Sequence, residues 1–173
     1  LLDFYNRYGF RTWKRELEQA PGGAPAAALA ASSEAPGPLA RHYETVLTWE
    51  RLEHWLARIA AADLVALDTE TDSLDPMRAR IVGVSFAVTP GEAAYVPLRH
   101  DYADAPPQLP LSDVLARIKP WLEDPAAAKV GQHLKYDTHV FANHGIALAG
   151  VAHDTLLESY VLEAHLGHSL EKL

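Results

Sequence analysis

The chain of 173 residues contains no cysteine and a single methionine. Without cysteine there are no disulfides, no thiolate metal sites and no cysteine nucleophiles, so any metal must be held by oxygen or imidazole. Long hydrophobic runs are missing as well: nothing approaches the length needed to cross a bilayer, and no charged-then-apolar leader opens the chain. A cytoplasmic protein with no membrane partner is expected. Basic residues are in deficit, 15 Lys and Arg against 23 Asp and Glu, giving a formal net charge of -8. That argues against broad electrostatic adhesion to nucleic acid, which depends on cations displacing counterions from phosphates. A nucleic acid substrate stays possible, because carboxylates loaded with divalent cations present a positive face to phosphate.

What is present suffices for a core: 49% of the residues are hydrophobic. Residues 20–40 are almost all Ala, Pro, Gly and Ser, a composition that reads as a linker. Residues 1–19, LLDFYNRYGFRTWKRELEQ, then read as the tail of a preceding domain, and 41–173 as the main domain. There the pattern is regular. A strand is expected near Tyr43–Leu47, then a helix capped by Thr48 with Leu52, Trp55, Leu56 and Ile59 at helical spacing. Three strands follow at Leu64–Thr69, Ile81–Val88 and Ala93–Pro97, separated by turns at Asp75-Pro76 and Pro90-Gly91. Ser112 is expected to cap a helix that Pro120 kinks or shortens. A strand at Lys129–Gln132, a helix at Leu134–Asn143, an extended piece at Ile146–Leu148 and a helix opened by Asp154 complete the order. This is an α/β chain with a mixed sheet covered by helices.

The segment ALDTETDSLD ends an apolar run with four acids between Asp68 and Asp75. Side chains alternate along a strand, so Asp68 and Glu70 point the same way, roughly 6.5 Å apart along the backbone. Their mutual repulsion is relieved by a hard divalent cation between them. An isolated D-x-E is more often an acidic turn, but Asp137 adds to it. It lies three residues after Leu134 and before Val140, on the apolar stripe of its helix, where an acid needs a partner. The alternative is a buried Asp paired locally with Lys135 or Gln132. Acids on separate elements suit a two-metal site about 3.5–4 Å across, which serves phosphoryl transfer to water. Magnesium or manganese fits better than zinc, since no His pair at ligand spacing accompanies the acids. Asp154 reads chiefly as a helix cap, with a supporting role in the site as the alternative; His139, His144 and His153 read as surface or packing residues. No Ser-His-Asp arrangement, phosphate-cradling glycine loop or HExxH motif is present.

ALDTETDSLD, GVSFAVTPGEAAYVPLRHDY, VGQHLKYDTHVFANHGI and HDTLLESYVL together closely resemble the 3′→5′ proofreading exonuclease domain of bacterial family A DNA polymerases. The opening LLDFYNRYGFRTWKREL resembles the end of the 5′ nuclease domain of the same family. The resemblance implies an RNase H-like mixed sheet flanked by helices. It implies a DNA replication and repair enzyme that hydrolyses the 3′-terminal phosphodiester to nucleoside monophosphates. Carried over, catalytic and metal-binding carboxylates fall at Asp68, Glu70 and Asp137, holding two Mg2+ or Mn2+ ions. Thr71 and Leu74 fall where the family contacts the 3′-terminal nucleotide, Leu74 as a wedge against the end base; Gln132, His133 and Tyr136 match the substrate side of the second motif. The implied partners are a single-stranded or frayed 3′ end of DNA and a polymerase domain in cis, in a monomer. His133 stands where relatives are expected to carry Asn. The third motif, Tyr-x-x-x-Asp, lies beyond Leu173, so little or no activity is expected of this chain alone. Two other readings stay open: a non-catalytic scaffold domain of a polymerase, and a free-standing exonuclease of the wider DEDD group acting on RNA.

Overall fold

In the computed structural model, residues 40–170 are described. The expected tail at 1–19, and all but the last residue of the expected linker at 20–40, lie outside them. The helix after Thr48 forms as α1 (Trp49–Ala61): Thr48 Oγ1 accepts from the Arg51 amide at 3.3 Å, and Leu52, Trp55 and Ile59 are buried. β1 (His42–Thr45) before it is largely exposed.

The expected meander is β2 (Val65–Thr71), β3 (Ile81–Thr89) and β4 (Glu92–Pro97), antiparallel throughout, with Leu67 opposite Phe86 and Phe86 opposite Ala94. β5 (Lys129–Gly131) runs parallel to β2 on its other side, and β6 (Val151–Asp154) parallel to β5. With β1 parallel to β4 the sheet order is β1-β4-β3-β2-β5-β6, a mixed sheet with β2 inside it.

Two expectations shift. α2 (Leu111–Leu122) begins one residue before Ser112, is preceded by Pro110 with no side-chain cap, and runs two residues past Pro120. Ser112 instead donates to its neighbour Asp113. Pro120 is tolerated because it sits in the last turn, where little helix remains to be broken. The extended piece at 146–148 is not a strand; the sheet's last strand lies just beyond it at β6. α3 (Leu134–Ala142) and α4 (Thr155–Glu163) match the expected helices within one residue.

One sheet face makes the core. Val65 and Leu67 of β2, Val84 and Phe86 of β3, and Val96 of β4 are buried there with Leu52 and Ile59 of α1, Ile118 and Leu122 of α2, and Val140 and Phe141 of α3. The opposite face carries Ala66, Ala87, Ala93 and Ser85 around a cavity of about 330 Å³ that also meets Asp68 and Gln132. Among the described residues no helix is long and apolar enough to cross a membrane.

Candidate active site

The alternation along β2 buries Val65, Leu67 and Thr69 and leaves Asp68 and Glu70 open on the other face. β5 pairs with β2 only at Val65 and Ala66 before the chain leaves the sheet, so beyond Ala66 that edge of β2 has no neighbouring strand. α3 fills the gap. Asp137, only 2% exposed, sends Oδ1 to the Thr69 amide at 3.2 Å and to Thr69 Oγ1 at 2.6 Å. A buried carboxylate thus accepts the ladder hydrogen bond that a further strand would have taken, and a second from the hydroxyl beside it. Its partner is Thr69 rather than Lys135 or Gln132.

Asp137 therefore arrives from the core face at Thr69, while Asp68 and Glu70 on either side of it in sequence take the other face, and both Asp137 and Glu70 are near enough to Asp68 for their charges to act on it. Asp68 keeps surface open to solvent, but the protein packed around it strips part of its hydration; that desolvation first, then the charges of Asp137 and Glu70, pushes it up to about 6, opposed by the Thr69 amide. Asp137 is likewise raised by burial, opposed mainly by the Thr69 hydroxyl. Both shifts have the sign that like charges and desolvation give to a carboxylate, and a nearby cation reverses it. Among the described residues no three acids or imidazoles close into a ready-made cation cage. The donor set still fits a hard divalent ion: carboxylate oxygens from two elements, no thiolate, and two acids that desolvation holds above their ordinary range.

The remaining expected residues surround this edge. Leu74 is 96% exposed. Its loop is tied to α3 at both ends: Tyr136 Oη donates to Ser73 O at 2.5 Å and lies 2.5 Å from Thr71 Oγ1, while Asn143 Nδ2 donates to Pro76 O and Ala79 O at 2.8 and 3.0 Å. An apolar side chain is therefore presented to solvent by a braced loop. Gln132 Nε2 donates to His168 O at 2.8 Å, and its Oε1 accepts from Thr155 Oγ1. His133 is exposed and stacks on the Tyr136 ring with centroids 6.5 Å apart. Its φ of 63° makes it the only non-glycine residue with positive φ among those described.

Asp154 caps α4 as expected, its Oδ1 accepting from the Leu156 amide. His144 packs half-buried, its Nε2 accepting from the Ile81 amide, while His153 pairs with Glu158 at the surface. Sequence reasoning overlooked Thr69, Asn143 and the pair Tyr95–His100, whose Oη and Nε2 lie 2.6 Å apart. Tyr95 stands close enough to Glu70 that burial and that charge raise its phenol. Gly83, opposite Glu70 in register, makes the room: a Cβ there would sit 2.0 Å from Tyr95 Oη. A glycine inside a strand was the available signal for that close approach.

The family described as 3′-5′ exonuclease matches residues 43–173. DNA polymerase I of Pseudomonas aeruginosa is 46% identical over 166 residues, which are 95% of this chain and 18% of that protein. The chain thus spans less than a fifth of the length of the curated relatives it matches here. Among solved structures, the POL domain of Pol1 from M. smegmatis, in complex with DNA primer-template and dNTP, superposes with a TM-score of 0.58 at 20% identity. It covers 76% of this chain and 21% of that one. Brucella melitensis NrnC with bound Mg2+ gives 0.52 at 21% identity, over 78% of this chain and 59% of its own. At such identities the two structures speak for the fold alone, an RNase H-like mixed sheet.

Proposed function

Because this chain belongs to the 3′-5′ exonuclease family of the DNA polymerase I type, we propose that it removes nucleotides from the 3′ end of DNA, within a protein that also carries a polymerase domain. The observation that carries this reading is the docking of Asp137 on Thr69, between Asp68 and Glu70 in sequence, with Asp68 raised first by burial and then by the charges of Asp137 and Glu70. The three carboxylates would hold two magnesium or manganese ions. Bound there, such a pair supplies a water nucleophile at neutral pH and charge stabilisation for the phosphodiester as it breaks.

The chain's own residues do the rest. Thr69, between Asp68 and Glu70 in the chain, holds the Asp137 carboxylate still through two hydrogen bonds to its Oδ1. Leu74, exposed on its braced loop, offers an apolar surface to a terminal base that has left the stack; contacts with a base face are tolerant of sequence, as an editing site requires. Thr71 and Tyr136 form one hydroxyl pair at that loop, and Gln132 and His133 lead into α3, which carries Tyr136. The negative net charge fits a site that takes phosphate through its cations rather than through a basic surface.

The test uses the gene product that carries this chain. Release of nucleoside monophosphate from a 3′-labelled single strand in Mg2+ is expected to fall about a hundredfold or more, some 2.7 kcal/mol of barrier, when Asp68 and Glu70 are both replaced by Ala. Hydrolysis that survives the double substitution overturns the reading in favour of a scaffold domain. A strong preference for RNA over DNA strands redirects it to the RNA-acting alternative.

A further inference from the structure

We propose that Asp154 is a positioning residue, a single carboxylate that fastens the first turns of α3 and α4 together and so determines where Asp137 stands. The proposal rests on the reading of Asp68, Glu70 and Asp137 as a metal-binding set.

An ordinary cap serves its own helix. Asp154 does this for α4, its Oδ1 accepting from the Leu156 and Leu157 amides at 3.0 and 3.4 Å. The same carboxylate also accepts from the His133 amide at 3.0 Å through Oδ1 and from the Leu134 amide at 2.9 Å through Oδ2. Those two donors open a different helix, twenty residues upstream. A carboxylate offers about four lone-pair sites, and here four orphan amides of two helix starts converge on one. Thr155 extends the contact: its hydroxyl bonds Gln132 Oε1 and lies 3.3 Å from Gly131 O. The whole crank from β5 into α3, Gly131 to Leu134, is thus attached to the Asp154-Thr155 pair.

The crank needs that attachment. His133 holds a left-handed backbone that costs a non-glycine residue roughly 1–2 kcal/mol, and its own side chain makes no cap bond to α3. α3 is nine residues long, too short to be stable by propensity alone. Asp137 follows Leu134 by three residues, less than one turn, so the placement of the first turn is passed directly to its carboxylate. A slip of one residue would turn it by about 100° away from Thr69.

Two substitutions in the 173-residue chain separate this from simple capping. Serine caps a helix about as well as aspartate, but one short hydroxyl cannot serve two helices. Asp154→Ser therefore keeps α4 capped and frees α3, while Asp154→Ala removes both. Amide hydrogen exchange at Tyr136, Asp137 and Thr138 is expected to quicken at least about tenfold in both variants, with α1 unchanged as the control for folding. Exchange in Asp154→Ser equal to the parent's overturns the proposal. Mn2+ binding, followed by loss of the free-ion EPR signal, is expected to weaken about tenfold in both variants, as when a group supporting a metal ligand is lost. Faster exchange with unaltered Mn2+ affinity would make Asp154 a structural cap only and equally overturn the positioning role. If the parent itself binds no Mn2+, the metal reading of the three acids fails, while exchange at α3 still decides whether Asp154 pins that helix.

Discussion

At Asp68 the fold holds a carboxylate in the state it likes least. Its value near 6, above the ordinary range, means that between about pH 4 and pH 6 the folded chain keeps a proton the unfolded chain has already released. The folded state binds more protons there, so this group's contribution to stability falls as pH rises through the window and stays low above it. Glu44 works in the opposite direction: hydrogen bonds from Arg51 and Trp55 lower it to about 2, so its stabilisation is present above its ordinary value and is lost as pH falls towards 2. The difference between parent and Asp68→Asn isolates the first effect. The variant is expected to melt about 2 °C higher at pH 7.5, without metal, and to match the parent near pH 4. A lower Tm at pH 7.5 would mean that the acids do not crowd one another. Beside it, Thr69→Val keeps shape but strips a buried carboxylate of its hydroxyl donor. Chemical denaturation should record a loss of about 1–3 kcal/mol. Leu74→Ala, at a fully exposed site, should change stability by less than about 0.5 kcal/mol while weakening retention of a labelled single strand in Mg2+.

At the scale of elements, legibility followed the strength of the local pattern. β2, β3 and β4 alternate or run apolar between turn residues, and α1 repeats Leu52, Trp55 and Ile59 on one face, so each was readable within a residue or two. β6 has four residues with an exposed Val151 and no alternation, and only pairing with β5 makes it a strand. The start of α2 was misplaced because Ser112 turned its hydroxyl to Asp113 instead of the helix. That Asp68 and Glu70 share one face of β2 and that Asp137 turns inward was legible from spacing, since two periods sufficed to aim them. Their partners were not: Thr69 meets Asp137 across 68 positions of sequence and Asp154 meets Leu134 across 20, through backbone amides that no side-chain pattern marks. The left-handed backbone at His133 was equally silent, although it gives a physical reason for the asparagine expected at that place. Asn and Asp enter the left-handed region readily and β-branched residues do not. His133→Asn should therefore leave the unfolding free energy unchanged or slightly raised, while His133→Val should cost about 1–2 kcal/mol. Equal losses in both would mean that the imidazole stack on Tyr136, not the backbone, holds the turn.

At the scale of the molecule, a helix is brought to an open strand edge so that acids from the two faces of one sheet share a single charge problem. β5 stops after pairing two residues of β2, and the space it leaves is where Asp137 enters. The proposed metal site would couple cation binding to fold stability: an ion that binds only the folded chain stabilises it by RT ln(1 + [L]/Kd), about 1.4 kcal/mol at ten times Kd. For a chain of this size that corresponds to a rise of about 3–5 °C in Tm. The coupling should carry the pH signature of Asp68. Protons compete with the ion for the same oxygens, so the Mn2+-induced rise should be largest at pH 7.5, where Asp68 is ionised in its free folded state, and should shrink at pH 5, where it is not. Replacing Asp68 and Glu70 together by Ala should abolish the rise at both values. Calorimetry across Mn2+ concentrations decides it. A rise that persists in the double variant, or that is larger at pH 5 than at pH 7.5, would place the ion elsewhere on this acidic chain and separate the strand edge from metal binding.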